Sequence, residues 1–111
     1  MHIVEQVIQT SGIKFRAMDG ETEVGRAYLY LLYNDQHEEP AGYVEDVFVE
    51  ESHRGHGLGT QLLETVLNKA RELGCYKLVG TSRMEKEHVH AWYEKYGLKK
   101  HGYSFRIDLD Q

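Results

Sequence analysis

The first third of the sequence alternates short apolar runs with turn residues. The runs cover residues 3–8, 13–18 and 24–33, and Ser11-Gly12 and Asp19-Gly20 separate them. Gly, Ser and Asp between such runs are typical of antiparallel strands joined by tight turns. The pattern predicts an N-terminal antiparallel meander. Its third strand is apolar at both parities, so we expect a central strand that is covered on both faces.

The middle of the chain changes from a two-residue period to a helical one. A strand is predicted at residues 43–49. From Leu58 onwards apolar residues recur at spacings of three and four, and Gly74 follows as a stop signal. The next predicted strand, residues 76–80, needs this helix as its crossover, so the three elements form a βαβ unit with parallel strands.

The last third predicts a second helix over residues 86–96, ended by Gly97, and a final strand at residues 103–109, where apolar and polar residues strictly alternate. Together the elements predict an α/β (α+β) fold with a mixed central sheet. The length of 111 residues is typical of one domain, and the sequence contains no linker or internal repeat. We therefore expect a single domain over residues 1–111.

Composition limits the cellular setting. Cys75 is the only cysteine, which excludes an intramolecular disulfide and a cysteine-rich zinc cluster. The longest apolar run, residues 27–33, is far shorter than the roughly 20 residues of a membrane-spanning helix. The first residues lack the basic flank and apolar centre of a secretory signal. These features predict a cytoplasmic protein that does not contact the membrane.

Charge and histidine spacing argue against two further classes of protein. The net charge is −5, and no cluster of Lys and Arg has the density of a nucleic-acid-binding surface. Of the seven histidines, His88 and His90 lie two apart on a predicted helix and diverge, while His53 and His56 flank a glycine-rich turn. We expect neither a nucleic-acid partner nor a metal.

The glycine-rich turn is the part of the sequence that carries chemistry. Glycines 55, 57 and 59 join the strand at residues 43–49 to the helix that follows. The first N–H groups of a helix are unpaired, and glycines let a ligand approach them, so the turn predicts an anion site, usually for phosphate. Arg54, with His53 and His56, adds positive charge. The turn lacks the Gly-Lys-Ser/Thr of a P-loop, and Thr60 replaces the third small residue of the dinucleotide fingerprint.

Two motifs together resemble the GNAT superfamily of N-acetyltransferases. Arg54-Gly55-His56-Gly57-Leu58-Gly59 is similar to the family's acetyl-CoA loop, Arg/Gln-x-x-Gly-x-Gly/Ala, and residues 91–98, Ala-Trp-Tyr-Glu-Lys-Tyr-Gly-Leu, resemble its Phe-Tyr-Glu-Lys-x-Gly-Phe segment. The likeness covers about residues 43–109. It implies that acetyl-CoA is the cosubstrate and that its contacts are Val47, Phe48, Val49, Arg54, Gly55, His56, Gly57, Leu58, Gly59 and Thr60.

The resemblance also implies catalytic residues. An alkyl amine has a pKa of about 10, so it must lose a proton before it attacks a thioester. Neighbouring strand residues face opposite sides, so only one of Glu45 and Asp46 should face the substrate. Glu45 resembles the carboxylate that some family members use and is the preferred base, and Asp46 is the alternative. Tyr93 matches the family's general acid. A bulge in the same strand would free a backbone N–H for the charge that develops on the thioester oxygen, and residues 47–49 are the segment that the family pairs with the pantetheine arm. Each carboxylate could instead pair with a neighbour on the sheet, and Tyr93 could simply pack.

The chain departs from the family pattern in two places. The helices usually found between the first two strands are shortened or absent, since only Ser11-Gly12 remains there. An upstream asparagine that contacts the cofactor is also missing, and Lys86 or Ser82 are its weak substitutes. We expect an N-acetyltransferase that acts on a small-molecule or protein amine; the alternative is a non-catalytic acyl-CoA-binding module. Pairing of the final strand between two copies predicts a homodimer.

Overall fold

The computed structural model describes residues 1–82 and 84–110, and it divides the chain into two compact units, Met1–Val79 and Gly80–Gln111. The sheet consists of β1 (Ser11–Asp19), β2 (Thr22–Leu32), β3 (Ala41–Val49) and β4 (Lys77–Gly80), in that spatial order. β1 pairs with β2, and β2 with β3, in antiparallel register. The predicted α/β fold with an N-terminal meander and a mixed sheet is confirmed.

The predicted strand at residues 3–8 is wrong. These residues form no strand and are exposed, Ile3 by 95%. Ser11 and Gly12, expected to form a turn, instead begin β1, where Ser11 lies opposite Leu31. Because β2 ends at Leu32, residues upstream of Ser11 have no neighbouring strand to pair with. Alternation of apolar residues predicts that a segment has an apolar side, but it does not show whether another strand lies close enough to pair with it.

The core lies between the sheet and α1 (Leu58–Glu72), which connects β3 to β4. Leu29 and Val44 from the sheet, with Leu63 and Val66 from α1, are fully buried. Burial of each such side chain is worth about 1.5–3 kcal/mol. The expectation that β2 is covered on both faces is wrong, because Tyr30, on the face opposite α1, is 37% exposed. That face carries tyrosine and arginine, which keep a polar group in water.

Glycine ends both helices, as predicted. Gly74 follows α1 with φ +75°, and the N–H of Cys75 donates to the carbonyl of Ala70 at 3.0 Å. Gly97 follows α2 (Glu87–Lys95) with φ +94°, and the N–H of Leu98 donates to Tyr93 at 3.1 Å. Only a residue that tolerates a left-handed conformation closes a helix in this way.

The second unit contains α2 but not the predicted final strand. Residues 103–109 are extended outside any strand, and their apolar side chains are exposed, Phe105 by 93%. Alternation makes a segment amphipathic, but a strand also needs a neighbour, and in the described part of the chain none pairs here. No helix within the described ranges is long and apolar enough to cross a membrane.

Candidate functional site

The turn between β3 and α1 has the backbone of an anion-binding loop. Gly57 caps α1 with φ +80°, no side chain caps the helix, and Gly55 has φ +84°. An L-residue at either position costs about 1–2 kcal/mol. A Cβ placed at Gly55 or Gly57 would meet no atom within 4 Å. The glycines therefore form the turn and leave space beside its backbone, next to the first N–H groups of α1, which are the groups that stabilise an anion at a helix N-terminus.

Arg54 fixes the start of this turn to the end of β3. Its Nε donates to the carbonyl of Val49 at 2.8 Å, and its guanidinium lies 5.4 Å from the ring centre of Phe48. Arg26, opposite Phe48 on β2, places a second guanidinium 4.6 Å from that ring. The side chain that the sequence assigns to the anion thus also shapes the turn, and two positive charges flank Phe48.

His53 connects the turn to the β1–β2 hairpin. Its Nε2 lies 3.0 Å from Asp19 Oδ2, and its Nδ1 lies 2.8 Å from Ser52 Oγ. The sequence predicted that His53 adds positive charge beside a bound anion, whereas in the structure its imidazole contacts the Asp19 carboxylate. The position of Asp19, 34 residues away, carried no signal in the sequence. His56 is exposed.

A bulge interrupts β3 just before the turn. Tyr28 lies opposite Glu45 and Arg26 lies opposite Phe48, so Asp46 and Val47 both stand against the single residue Ala27. Asp46 has φ +51°. A bulge disturbs the hydrogen-bond ladder and redirects side chains. The irregularity that a free backbone donor near residues 47–49 requires is therefore present.

Glu45 lies beside tyrosines on the sheet face opposite α1. Tyr43 is paired with Tyr30, Glu45 is paired with Tyr28, and the rings of Tyr28 and Tyr30 stack with centres 6.1 Å apart. We call Tyr28, Tyr30 and Tyr43 the aromatic strip. Glu45 and Asp46 are both exposed, and within residues 1–82 and 84–110 neither has an ion-pair partner. The alternative role, in which each carboxylate forms an ion pair with a neighbouring residue on the sheet, has no support among these residues.

A charged cluster lies on β1 and β2, next to the end of β3. Glu23 binds Arg16 at 2.7 Å, Lys14 at 3.0 Å and Arg26 at 3.3 Å, and Arg26 also reaches Glu50 at 3.5 Å. The hydrogen bond from Arg16, followed by that from Lys14, lowers the pKa of Glu23. The cluster holds Arg26 where its guanidinium meets Phe48.

Tyr93 lies on α2 in the second unit. Its ring stacks on that of Trp92 with centres 5.6 Å apart, and Tyr96 meets Trp92 edge-on at 6.4 Å. Burial raises the pKa of the Tyr93 phenol, so the hydroxyl keeps its proton near neutral pH and can donate it. Among the residues that the structure describes, no group of His, Cys, Asp and Glu is arranged to hold a metal ion.

Comparison with known proteins agrees with this geometry. The model of the acetyltransferase (GNAT) family matches residues 5–98. A putative acetyltransferase from Agrobacterium tumefaciens str. C58 has a similar structure, with a TM-score of 0.79 and 26% identity over 87% of this chain and 68% of that one.

Two curated relatives have stated activities. Glucosamine 6-phosphate N-acetyltransferase of Trypanosoma brucei brucei is 40% identical over 61% of this chain and 44% of its own length. Aminoglycoside N(6')-acetyltransferase type 1 of Stenotrophomonas maltophilia is 34% identical over 76% of this chain and 56% of its own. The chain spans about half the length of these relatives. With the family model matched along most of its length, the chain belongs to the GNAT family of acetyltransferases.

Proposed function

We propose that this chain is an N-acetyltransferase that transfers an acetyl group from acetyl-CoA directly to an amine. The observation that carries the proposal is the turn at Gly55 and Gly57, with its left-handed glycines, a helix that no side chain caps and open space around a Cβ at either glycine. The phosphates of CoA are the anions that such a helix terminus stabilises. Membership in an acetyltransferase family supports the choice of donor.

The predicted donor contacts fit this placement. Residues 54–60 form the turn and the first turn of α1, and residues 47–49 are the end of β3 that leads into it. Arg54, held by Val49 and Phe48, supplies a fixed positive charge. The phosphates would lie against the turn, while the bulged end of β3 offers main-chain groups to the arm that carries the thioester.

Acetyl-CoA supplies the acetyl group as a thioester. In the proposed reaction Glu45 accepts one proton of the substrate ammonium, so that the neutral nitrogen can attack the carbonyl carbon. An N–C bond forms and the C–S bond breaks. Tyr93 donates its proton to the departing sulfur, and the second proton that the nitrogen loses as the amide forms restores the Tyr93 hydroxyl through solvent. Tyr93 comes from the resemblance and from its own half-buried setting, whereas Glu45 is also supported by its place beside the aromatic strip, where its carboxylate has no ion-pair partner among the residues that the structure describes.

A small-molecule amine is the preferred acceptor. Both curated relatives are named for small amines, a phosphorylated amino sugar and aminoglycosides. A protein amine stays the alternative within the enzyme class, and a chain that only binds acyl-CoA stays the alternative outside it.

Calorimetry with CoA tests the donor site. The wild-type chain should bind with a Kd in the micromolar range, about −8 kcal/mol at 1 μM. Gly57→Asp should weaken binding at least about tenfold, because the new carboxylate can accept hydrogen bonds from the helix N–H groups in place of the phosphate and repels the phosphate charge. Aspartate tolerates a left-handed φ, so this variant should still fold.

Gly74→Asp is the matched control. Gly74 also has a positive φ, +75°, and open space around a Cβ, but it lies at the other end of α1. Fifteen residues of helix separate the sites by about 22 Å, well beyond the screening length of about 8 Å. Equal CoA affinity in both variants and the wild type would overturn the donor site. Binding without turnover of any amine would favour the acyl-CoA-binding module.

A further inference from the structure

A cavity of about 290 Å³ opens at the start of β3, at the opposite end of the strand from the glycine turn. Pockets for small ligands begin at about 300 Å³, so this cavity suits a compact molecule rather than a polypeptide. Its lining includes Ile8, Asn34, Tyr43, Tyr76 and Lys77, which come from four separate segments of the chain.

The wall of the cavity is held by specific contacts. The N–H of Tyr76 donates to the carbonyl of Pro40 at 3.1 Å, and the ring of His37 stacks on that of Tyr76 with centres 4.0 Å apart. The N–H of Gln36 donates to Asn34 Oδ1 at 3.0 Å. These contacts fix the segment between β2 and β3 against the start of β4. This wall of the cavity is therefore held in place before a ligand binds, which lowers the entropic cost of binding.

The cavity and Glu45 share one face of the sheet. Tyr43 lines the cavity and is paired with Tyr30, while Glu45 lies two residues further along β3 and is paired with Tyr28. Residues two apart on a strand point to the same side at a separation of about 7 Å. A small molecule in the cavity can therefore extend an amine along the aromatic strip to the Glu45 carboxylate.

The cavity and the far end of the aromatic strip carry opposite charges, the Lys77 ammonium in the cavity and the Glu45 carboxylate at the other end. Of the described residues that line the cavity, only Lys77 is charged, and its Nζ lies 5.4 Å from the ring centre of Tyr76. This ammonium attracts an anion and repels a polycation. The net charge of −5 acts over longer distances and is screened within about 8 Å, so Lys77 dominates inside the cavity. Tyrosine rings and hydroxyls between the ends suit a hydroxylated ring.

We propose that this cavity is the acceptor site and that it takes a phosphorylated amino sugar, with the phosphate at Lys77 and the amine directed to Glu45. The proposal rests on the acetyltransferase function proposed above. It chooses between two acceptor classes, because a polycationic aminoglycoside would bring its charge against Lys77. Tyr43 and Lys77 then determine acceptor specificity, and they lie on elements separate from the donor turn.

The test is calorimetry of the full chain with glucosamine 6-phosphate, glucosamine and the aminoglycoside kanamycin, with and without saturating CoA. Glucosamine 6-phosphate should bind at least about tenfold more tightly than glucosamine, as one charge-assisted hydrogen bond would provide. Lys77→Met should abolish that preference. Lys69→Met is the control, because Lys69 lies on α1 and pairs with Glu72.

Backbone NMR gives a second readout that needs no variant. Glucosamine 6-phosphate should shift the amide signals of Asn34, Tyr43, Tyr76 and Lys77 but not those of residues 55–59. Equal binding of both sugars, tighter binding of kanamycin, or a preference that survives Lys77→Met would overturn the proposal. Absence of the preference in the wild-type chain, with CoA binding intact, refutes only the acceptor site, whereas sugar binding without any CoA binding refutes only the proposed donor.

Discussion

Gly42 lies where β3, β4 and the end of α1 meet, and adding one methyl group there tests the packing directly. A Cβ at Gly42 would lie 3.1 Å from Leu78 Cδ1, 3.3 Å from Cys75 Sγ and 3.3 Å from Leu29 Cδ1. Leu29 is fully buried, so the neighbours cannot all move aside. Overpacking costs about 1–3 kcal/mol, and the lower entropy of the unfolded alanine chain returns about 0.4–1 kcal/mol.

We therefore expect Gly42→Ala to lower the free energy of unfolding by about 1–2 kcal/mol. Urea unfolding should show a lower midpoint with an unchanged slope. Gly12→Ala is the control: its Cβ would meet the Tyr30 ring at 3.0 and 3.2 Å and otherwise only the Leu29 carbonyl oxygen, at an ordinary 3.8 Å, and the half-exposed ring can turn into solvent. Adding Leu78→Val to Gly42→Ala should recover part of the loss, because it shortens the nearest side chain. Equal midpoints for wild type and Gly42→Ala would refute this packing.

Three further predictions concern catalysis, charge and assembly. Glu45→Gln and Tyr93→Phe should each lower turnover about 10²- to 10⁴-fold without changing CoA affinity. The loss of turnover in Glu45→Gln should lessen as pH rises towards the amine pKa of about 10, because the neutral amine then forms without a base. Wild-type rates in both variants from about pH 6 to 9 would contradict these roles. The lowered pKa of Glu23 means that its contribution to stability is full above the ordinary glutamate pKa of about 4.3 and is lost as pH falls through the lowered value. Glu23→Gln should therefore unfold at lower urea than wild type at neutral pH, and a gap that persists in strong acid would argue against the cluster. Light scattering at tens of micromolar should show a homodimer, since an interface with a Kd near about 1 μM would be saturated; a monomer would refute the predicted pairing.

The sequence predicted the elements that carry their own local signals. The period of α1, the glycines after both helices and the glycine turn each lie within a short window of residues, so local chemistry determined them. Residues 3–8 and 103–109 have equally clear alternation, yet they are not strands, because a strand also requires a neighbour that no local pattern reveals.

The site was predictable in part for the same reason. The motif from Arg54 to Gly59 located the turn, but not the hydrogen bond from Arg54 to Val49 or the contact between His53 and Asp19. The cavity could not be predicted at all, since its walls come from four separate segments. A bulge in this strand was expected, but its position was hidden, because Asp46 is not the glycine that usually marks a left-handed position in a strand.

That bulge changes which residues of β3 face α1. Val44 faces the core at an even position, but beyond Asp46 the odd-numbered Val49 takes the core side, against Gly25, while Phe48 turns to the opposite side with Arg26. The extra residue at Asp46 thus shifts the alternation of side chains along β3 by one position. A strand of the same length without the bulge would alternate simply and exchange the sides of Phe48 and Val49, whereas deleting Asp46 would remove the extra residue and leave both on their present sides. The bulge therefore decides on which side of the sheet the ring beneath the Arg54 guanidinium lies.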